Sequence, residues 1–396
     1  MKTRLWQTIK ILLWFLIFIA IFLLLTQFSR YLPLFDYIEY WSAGKLNMSG
    51  NNPYGTNELY EIQTRLGWKY PDPLLSWNPP WTQFFLMPMA LLPYDISRTL
   101  WLMLSMVIVL FAAQQTWQRY GGPPEKKMIA MIVAITFSPV FFNLMLGQIS
   151  PLILFGLIGF WRWAETSQDK WKYGILGGFF ASLATIKPQL LYVFLVAVLV
   201  WAVSRKNWAI LFGLGMSLSL ETIIASWVNP ALVTQYLTAL LEYPPNNWAT
   251  PTLGYYLRIL FGVNKFWLQF IPNILGLIWF FYYWQKQKST WDWNKELPLI
   301  ILISIVTSSY TWIHDQIVLI PVLMLILIWF FKNNHYWQGV VISIVYVLIN
   351  FSYLVLHFMW DDSRFIWMGI TLLILYLPVN DRIQIKNKKS TTTSIV

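Results

Sequence analysis

The chain has no cysteine among its 396 residues, which excludes a disulfide framework, a thiolate metal site and a cysteine nucleophile together. Charge is scarce too, with Asp, Glu, Lys and Arg at 11% of the chain and only 3 His. The His show no His-x-x-x-His spacing, and Asp361-Asp362 is the only adjacent acidic pair, so no metal constellation is visible and no metal or other cofactor is expected. Gly-rich phosphate loops, Ser-His-Asp arrangements and nucleic-acid motifs are absent as well, which argues against a pump or an NTPase.

Apolar residues fill the space left by charge. The chain is 57% hydrophobic with a mean hydropathy of +0.53, far from the balance of a water-soluble domain. Its 25 Trp, 21 Tyr and 27 Phe fit rings placed at two membrane interfaces as well as packed inside, and any single Trp is expected to be an interface anchor. The net charge of +11 sits in short clusters between apolar runs rather than in one stripe, which reads as membrane topology and not as a nucleic-acid surface.

A membrane span needs about 20 apolar residues. The pattern predicts an all-α polytopic membrane protein of about 12 helices, near 11–28, 99–117, 128–146, 150–163, 173–186, 189–203, 208–227, 265–284, 297–310, 317–331, 338–358 and 365–379. The proline-flanked run from Trp81 to Leu92 makes a thirteenth if it spans, and otherwise lies in the interface. The short runs 150–163 and 173–186 have the look of broken helices lining a cavity. The first run lacks an Ala-x-Ala-like cleavage site and reads as a retained helix.

Lys and Arg gather in alternate loops, as the positive-inside rule requires. Most of the 28 lie at the two termini, in 118–127, 162–172, 204–207 and 285–295, and at Lys332, which predicts cytoplasmic termini in a plasma or inner membrane. The first long loop, 29–80, and the second, 228–264, then lie outside, and the first is expected to carry interfacial helices. Residues 1–382 read as one integral membrane domain and 383–396 as a basic cytoplasmic tail that touches anionic lipid heads.

With this topology a small set of polar side chains shares the outer face. Asp36, where the chain leaves the first helix, could act as a general base in apolar and aromatic surroundings, and its bland alternative is an interfacial helix cap or a solvated loop acid. Lys187, in Ile186-Lys187-Pro188, could hold a phosphate or merely snorkel, and Pro188 would break the helix beside it. His314 could donate to a phosphate oxygen, and Gln148 could hydrogen-bond a sugar or a lipid phosphate or simply bridge helices. The outer loop, with Asn51, Pro53, Tyr54 and Asn78 in turn-rich segments, could roof a pocket.

The series Asp36-x-x-x-Tyr40-x-x-Ala43-Gly44, Gly50-x-x-Pro53-Tyr54, Asn78-Pro79-Pro80, Gly147-Gln148, Ile186-Lys187-Pro188 and Trp312-x-His314 resembles a known family. It is that of the polyprenol-phosphate-mannose-dependent mannosyltransferases, which include the phosphatidylinositol-mannoside mannosyltransferases and belong to the glycosyltransferase-C class. The resemblance runs in order from about residue 36 to 320. It implies a glycosyltransferase-C type bundle and an inverting transfer of a hexose, with mannose expected, from a polyprenyl-phosphate sugar to a lipid or glycan acceptor outside the membrane. Asp36 would be the base, Lys187 and His314 would stabilise the leaving phosphate, and Tyr40, Gln148 and Tyr310 would contact sugar or phosphate. A monomer without nucleic-acid partners is expected. Asp315 departs from the pattern, because an acid beside a phosphate weakens the electrostatics unless it orients His314.

Two readings compete with the enzyme. A transporter or lipid-linked sugar flippase would need a mid-membrane ionisable site, for which Glu221 is the one clear acid, and a non-catalytic scaffold would tolerate loss of Asp36 and His314.

Overall fold

The computed structural model describes residues 19–27, 36–168, 170–246, 248–333 and 336–379, and the described residues contain helices and no strand. The basic tail 383–396 and most of the run 11–28 lie outside them, and residues 19–27 of that run are helical.

Each remaining predicted span corresponds to a helix or a pair of helices, but the lengths fall into two classes. Six are long and apolar enough to cross a membrane: Tyr94–Arg119, Trp208–Val228, Phe266–Gln287, Ile313–Lys332, Gly339–Leu356 and Asp362–Val379. A seventh forms if the pair Pro124–Thr136 and Ser138–Leu146, bent by 56°, counts as one span. Among the described residues, length and composition therefore give six or seven spans where eleven of the twelve expected runs fall. The difference lies in short helices such as Ser150–Ala164 and Tyr192–Ser204, and in Trp171–Ser182, which tightens into a 3-10 turn at Leu183–Ile186. The run Trp81 to Leu92 becomes the short helix Gln83–Ala90 behind a 3-10 turn at Pro80–Thr82.

The bend within 128–146 follows from its residues. Phe137 is extended at φ −67° and ψ 116°, and Pro139 opens the next helix without an N–H to carry the ladder across. The freed amide of Ser138 donates to Asn350 Oδ1, while Asn350 Nδ2 donates to Tyr346 O at 2.7 Å. A backbone donor released at membrane depth is thereby satisfied inside the protein.

The chain forms two compact units, one of residues 1–106 and 221–243 and the other of 107–220 and 244–396. The first holds residues 36–80 as a folded segment built on helices Tyr37–Met48 and Thr56–Arg65. Tyr37–Met48 buries Tyr37, Ile38, Tyr40 and Ala43 and lies against Gln83–Ala90. The approach is close enough that a Cβ on Gly44 would stand 2.5 Å from the Leu86 carbonyl oxygen. Tyr37 and Ser97 share a hydrogen bond of 2.6 Å, and the Trp41 indole donates to Leu92 O at 3.0 Å.

In the second unit much of the aromatic load is core rather than interface. Trp117, Trp161 and Trp293 are among the largest fully buried side chains, and Trp293 meets Phe160, Trp201 and Trp291 edge-on at 4.9, 5.6 and 5.4 Å. The loops of this unit collect at two ends in the alternation that their charge implies. At one end Arg119 pairs with Glu165, Tyr120 OH donates to Asn294 O, Lys332 Nζ to Tyr120 O, Asn207 Nδ2 to Ser167 Oγ and Arg205 Nη2 to Lys288 O. The residues near 148, 187, 269 and 310 gather at the other.

Candidate active site

Three breaks in helical structure build the cluster in the second unit. The helix Ser138–Leu146 stops at Gly147, whose φ of +69° is the left-handed conformation glycine tolerates best, and Gln148 follows it. The 3-10 turn Leu183–Ile186 ends at Lys187, which leaves the helical region at φ −130° and ψ 76° just before Pro188. The helix Trp293–Thr307 ends at an extended Ser308, and Ile313–Leu319 begins as a 3-10 turn after Trp312.

These breaks bring Lys187, Gln148 and Asp315 into direct contact. The Lys187 ammonium donates to Asp315 Oδ1 at 2.7 Å and to Gln148 Oε1 at 2.8 Å, with the two charged side chains only 11% and 3% exposed. Asp315 is held from three further directions: Ser150 Oγ donates to Oδ1 at 2.5 Å, the Trp312 amide donates to Oδ2 at 3.2 Å, and the residue sits within its own 3-10 turn. The acid that departed from the expected pattern is thus a partner of Lys187. An ammonium carries three N–H donors, so Lys187 keeps one beyond these two bonds.

His314 is buried beside this pair, its ring nearly parallel to Trp312 at 13° and 6.2 Å, and its carbonyl accepts from Asn143 Nδ2 at 3.0 Å. Tyr310 donates to Pro245 O at 2.9 Å and meets Trp248 edge-on at 5.7 Å. Burial pushes the Tyr310 phenol up to about 12, so at neutral pH it is a proton donor and not an anion. Gln269, fully buried, donates to Thr252 Oγ1 at 3.2 Å and to Ser309 O.

Sequence reasoning missed Ser150, Asn143 and Arg258. Arg258 is 3% exposed, and its guanidinium donates to Val263 O, Asn246 O and Gln269 Oε1, which closes the segment 246–263 around a buried cation. Among the described residues no carboxylate pairs with it. Its only sequence signal is an arginine in the apolar run Tyr255-Tyr256-Leu257-Arg258-Ile259-Leu260, at a level where basic residues are few.

The other expected site residues lie in the first unit. Asp36 stands at the N-cap position of Tyr37–Met48, yet its side chain makes no capping hydrogen bond; it is the Asp36 carbonyl that accepts from Glu39 N, at 3.0 Å. Tyr40 is buried on the same helix. Tyr54 OH donates to Asn78 O at 3.2 Å, Asn229 Nδ2 donates to Asn51 O at 2.9 Å, and Pro53 is buried next to Tyr54, so these loop residues tie the outer loop together.

Residues 77–262 match the model of glycosyltransferase family 87. No curated protein and no solved structure matches the chain. The family match supports a glycosyltransferase in a membrane protein. It spans Asn78, Gln148, Ser150, Lys187 and Arg258, and it leaves Asp36 on one side and Tyr310, His314 and Asp315 on the other.

Proposed function

We propose that the protein is an inverting glycosyltransferase that moves a hexose, mannose in the first instance, from a polyprenyl-phosphate sugar to an acceptor hydroxyl on the extracytoplasmic side of the membrane. The observation that carries this reading is the buried Lys187 ammonium, fixed by Gln148 and Asp315 with one donor to spare and with His314 alongside. A cation pre-oriented in a dry site stabilises charge that develops on a leaving group far better than one on a mobile surface side chain.

In this scheme the acceptor oxygen attacks the anomeric carbon from the face opposite the phosphate. The bond from that carbon to the phosphate oxygen breaks, and its electron pair leaves with the lipid phosphate. Asp36 takes the acceptor proton, Lys187 donates its third N–H to the departing oxygen, and His314 donates to a second phosphate oxygen. Tyr40, Gln148 and Tyr310 orient sugar and phosphate.

The test is transfer of label from radiolabelled polyprenyl-phosphate mannose in vesicles containing the protein. Wild type is expected to consume the donor, and Lys187→Met to lose most of that activity while still inserting in the membrane. No transfer by wild type with any lipid-linked hexose or pentose, across a panel of acceptors, would overturn the reading. The transporter alternative keeps one specific feature, Glu221, buried within the span Trp208–Val228. It predicts vectorial movement of an intact lipid-linked sugar without cleavage, which the same vesicles report.

A further inference from the structure

We infer that the basic end of the second unit carries a binding site for a phosphate group, that of an anionic phospholipid, separate from the Lys187 cluster. A cleft of about 250 Å³ opens there, lined by Gln115, Gln118, Arg119, Ile158, Trp161 and Arg162. Its polar lining is two guanidinium groups and two carboxamides, with no carboxylate. Such a set of fixed N–H donors suits phosphate oxygens.

The position is set by two helices. Arg119 is the last residue of the apolar 26-residue helix Tyr94–Arg119, so the cleft lies where that helix leaves the hydrocarbon, at the depth of lipid phosphates. Ser150, which bonds Asp315, is at the start of the helix Ser150–Ala164, and Trp161 and Arg162 are at its end. At 1.5 Å per residue, roughly 17 Å separate the two clusters along the helix axis.

The ordinary role for arginines at helix C-termini is to satisfy the last carbonyls and the helix dipole. Here other groups do that. Tyr120, Gly121 and Gly122 amides donate back to Thr116, Gln118 and Trp117, Gly121 takes a φ of +65°, and Lys332 Nζ covers the Tyr120 carbonyl. Arg119 instead donates through Nε to Asn294 Oδ1 and through Nη2 to Glu165 Oε2, each at 2.5 Å, with its guanidinium 4.6 Å from the Trp161 ring centre. Trp161 Nε1 donates to the same Asn294 oxygen at 2.9 Å. Arg119 is thus held through Nε and Nη2, and among the described residues no hydrogen bond takes Nη1.

Arg162 lies over Trp163 at 5.0 Å, and among the described residues no carboxylate pairs with it. The Glu165 charge offsets Arg119, so the unpaired Arg162 leaves a surplus of one positive charge, which matches the single negative charge of a phosphodiester. This surplus favours a lipid whose phosphodiester charge is uncompensated over a zwitterionic headgroup that carries its own cation.

The experiment uses the full chain in nanodiscs of mixed phosphatidylglycerol and phosphatidylcholine, with retained lipid read by native mass spectrometry after release into detergent. Wild type is expected to retain phosphatidylglycerol over phosphatidylcholine. Arg162→Gln and Gln118→Ala should each lower that retention, the first by about tenfold, the loss of one charged hydrogen-bonding partner. Lys172→Gln, which removes a charge of the same end outside the cleft, should leave it unchanged. In a parallel arm, inorganic phosphate is titrated against thermal unfolding of delipidated protein. Protection by inorganic phosphate that Arg162→Gln removes would assign the same site to a soluble phosphate. Equal retention of the two lipids with no phosphate protection, or an equal loss in Lys172→Gln and Arg162→Gln, would overturn the site and leave only a generally basic surface.

Discussion

Removal of one member of the Lys187–Asp315 pair should destabilise the protein, and the two sides should not cost the same. Both side chains are nearly buried, so little solvent screens their attraction, and truncating one partner of a buried pair typically costs about 3–5 kcal/mol because the other charge is left uncompensated. The structure says which truncation is worse. Without Asp315, the Lys187 ammonium keeps only the Gln148 carboxamide oxygen as an acceptor. Without Lys187, the Asp315 carboxylate keeps the Ser150 hydroxyl and the Trp312 amide, two donors to a charged acceptor worth about 1.5–3 kcal/mol each. Asp315→Ala should therefore sit near the top of the range and Lys187→Met near or below its floor. The double variant Lys187→Met with Asp315→Ala should lose less than the sum of the singles, because neither charge is left alone. Equilibrium unfolding in mixed micelles measures all four corners of the cycle. Single losses under about 1 kcal/mol that add without coupling would refute the claim that these groups form a buried pair.

Further outcomes follow from the same geometry. Asp36→Asn should still insert in the membrane and should lower the transfer rate by about 10²-fold or more in the vesicle assay. Lys187→Arg should fail to restore transfer by Lys187→Met, because a planar fork cannot direct one N–H to Gln148, one to Asp315 and one onward from the same point. Gly44→Ala should destabilise by about 1–3 kcal/mol and raise susceptibility to proteolysis within 49–80, since its Cβ meets backbone rather than a mobile side chain. Arg258→Met should loosen the 246–263 segment, seen as faster hydrogen exchange there, with little change around Lys187.

Much of the bundle was legible because its signals are local. Apolar runs located the helices, and loop charge sorted the loops into two groups that hydrogen bonds now join at separate ends, as with Lys332 and Tyr120. Pro188 marked one of the breaks where the polar residues emerge. The pairing of Lys187 with Asp315 was not legible, because 128 residues separate them and only the packed helices bring them together. Reading Asp315 as a burden on the phosphate site came from weighing it against its sequence neighbour His314. Which of the apolar runs cross was not legible for a related reason: hydropathy cannot tell a helix that crosses from a short apolar helix packed among others, such as Tyr192–Ser204. Arg258 escaped because its partners are backbone carbonyls, which leave no trace in side-chain composition.

The separation between Lys187 and Asp315 also bears on how the chain is made. Lys187 lies between a 12-residue helix with its 3-10 turn and a 13-residue helix, both short for independent insertion, and its counter-charge is synthesised 128 residues later. A nascent chain that has not yet exposed Asp315 to the membrane carries an uncompensated ammonium there, with Gln148 as its one acceptor. Stable seating of residues 171–204 thus waits on the segment that begins at Trp312. Truncation before that point removes the ion that allows this earlier pair of helices to stay in the bilayer, and makes the late segment a requirement of biogenesis.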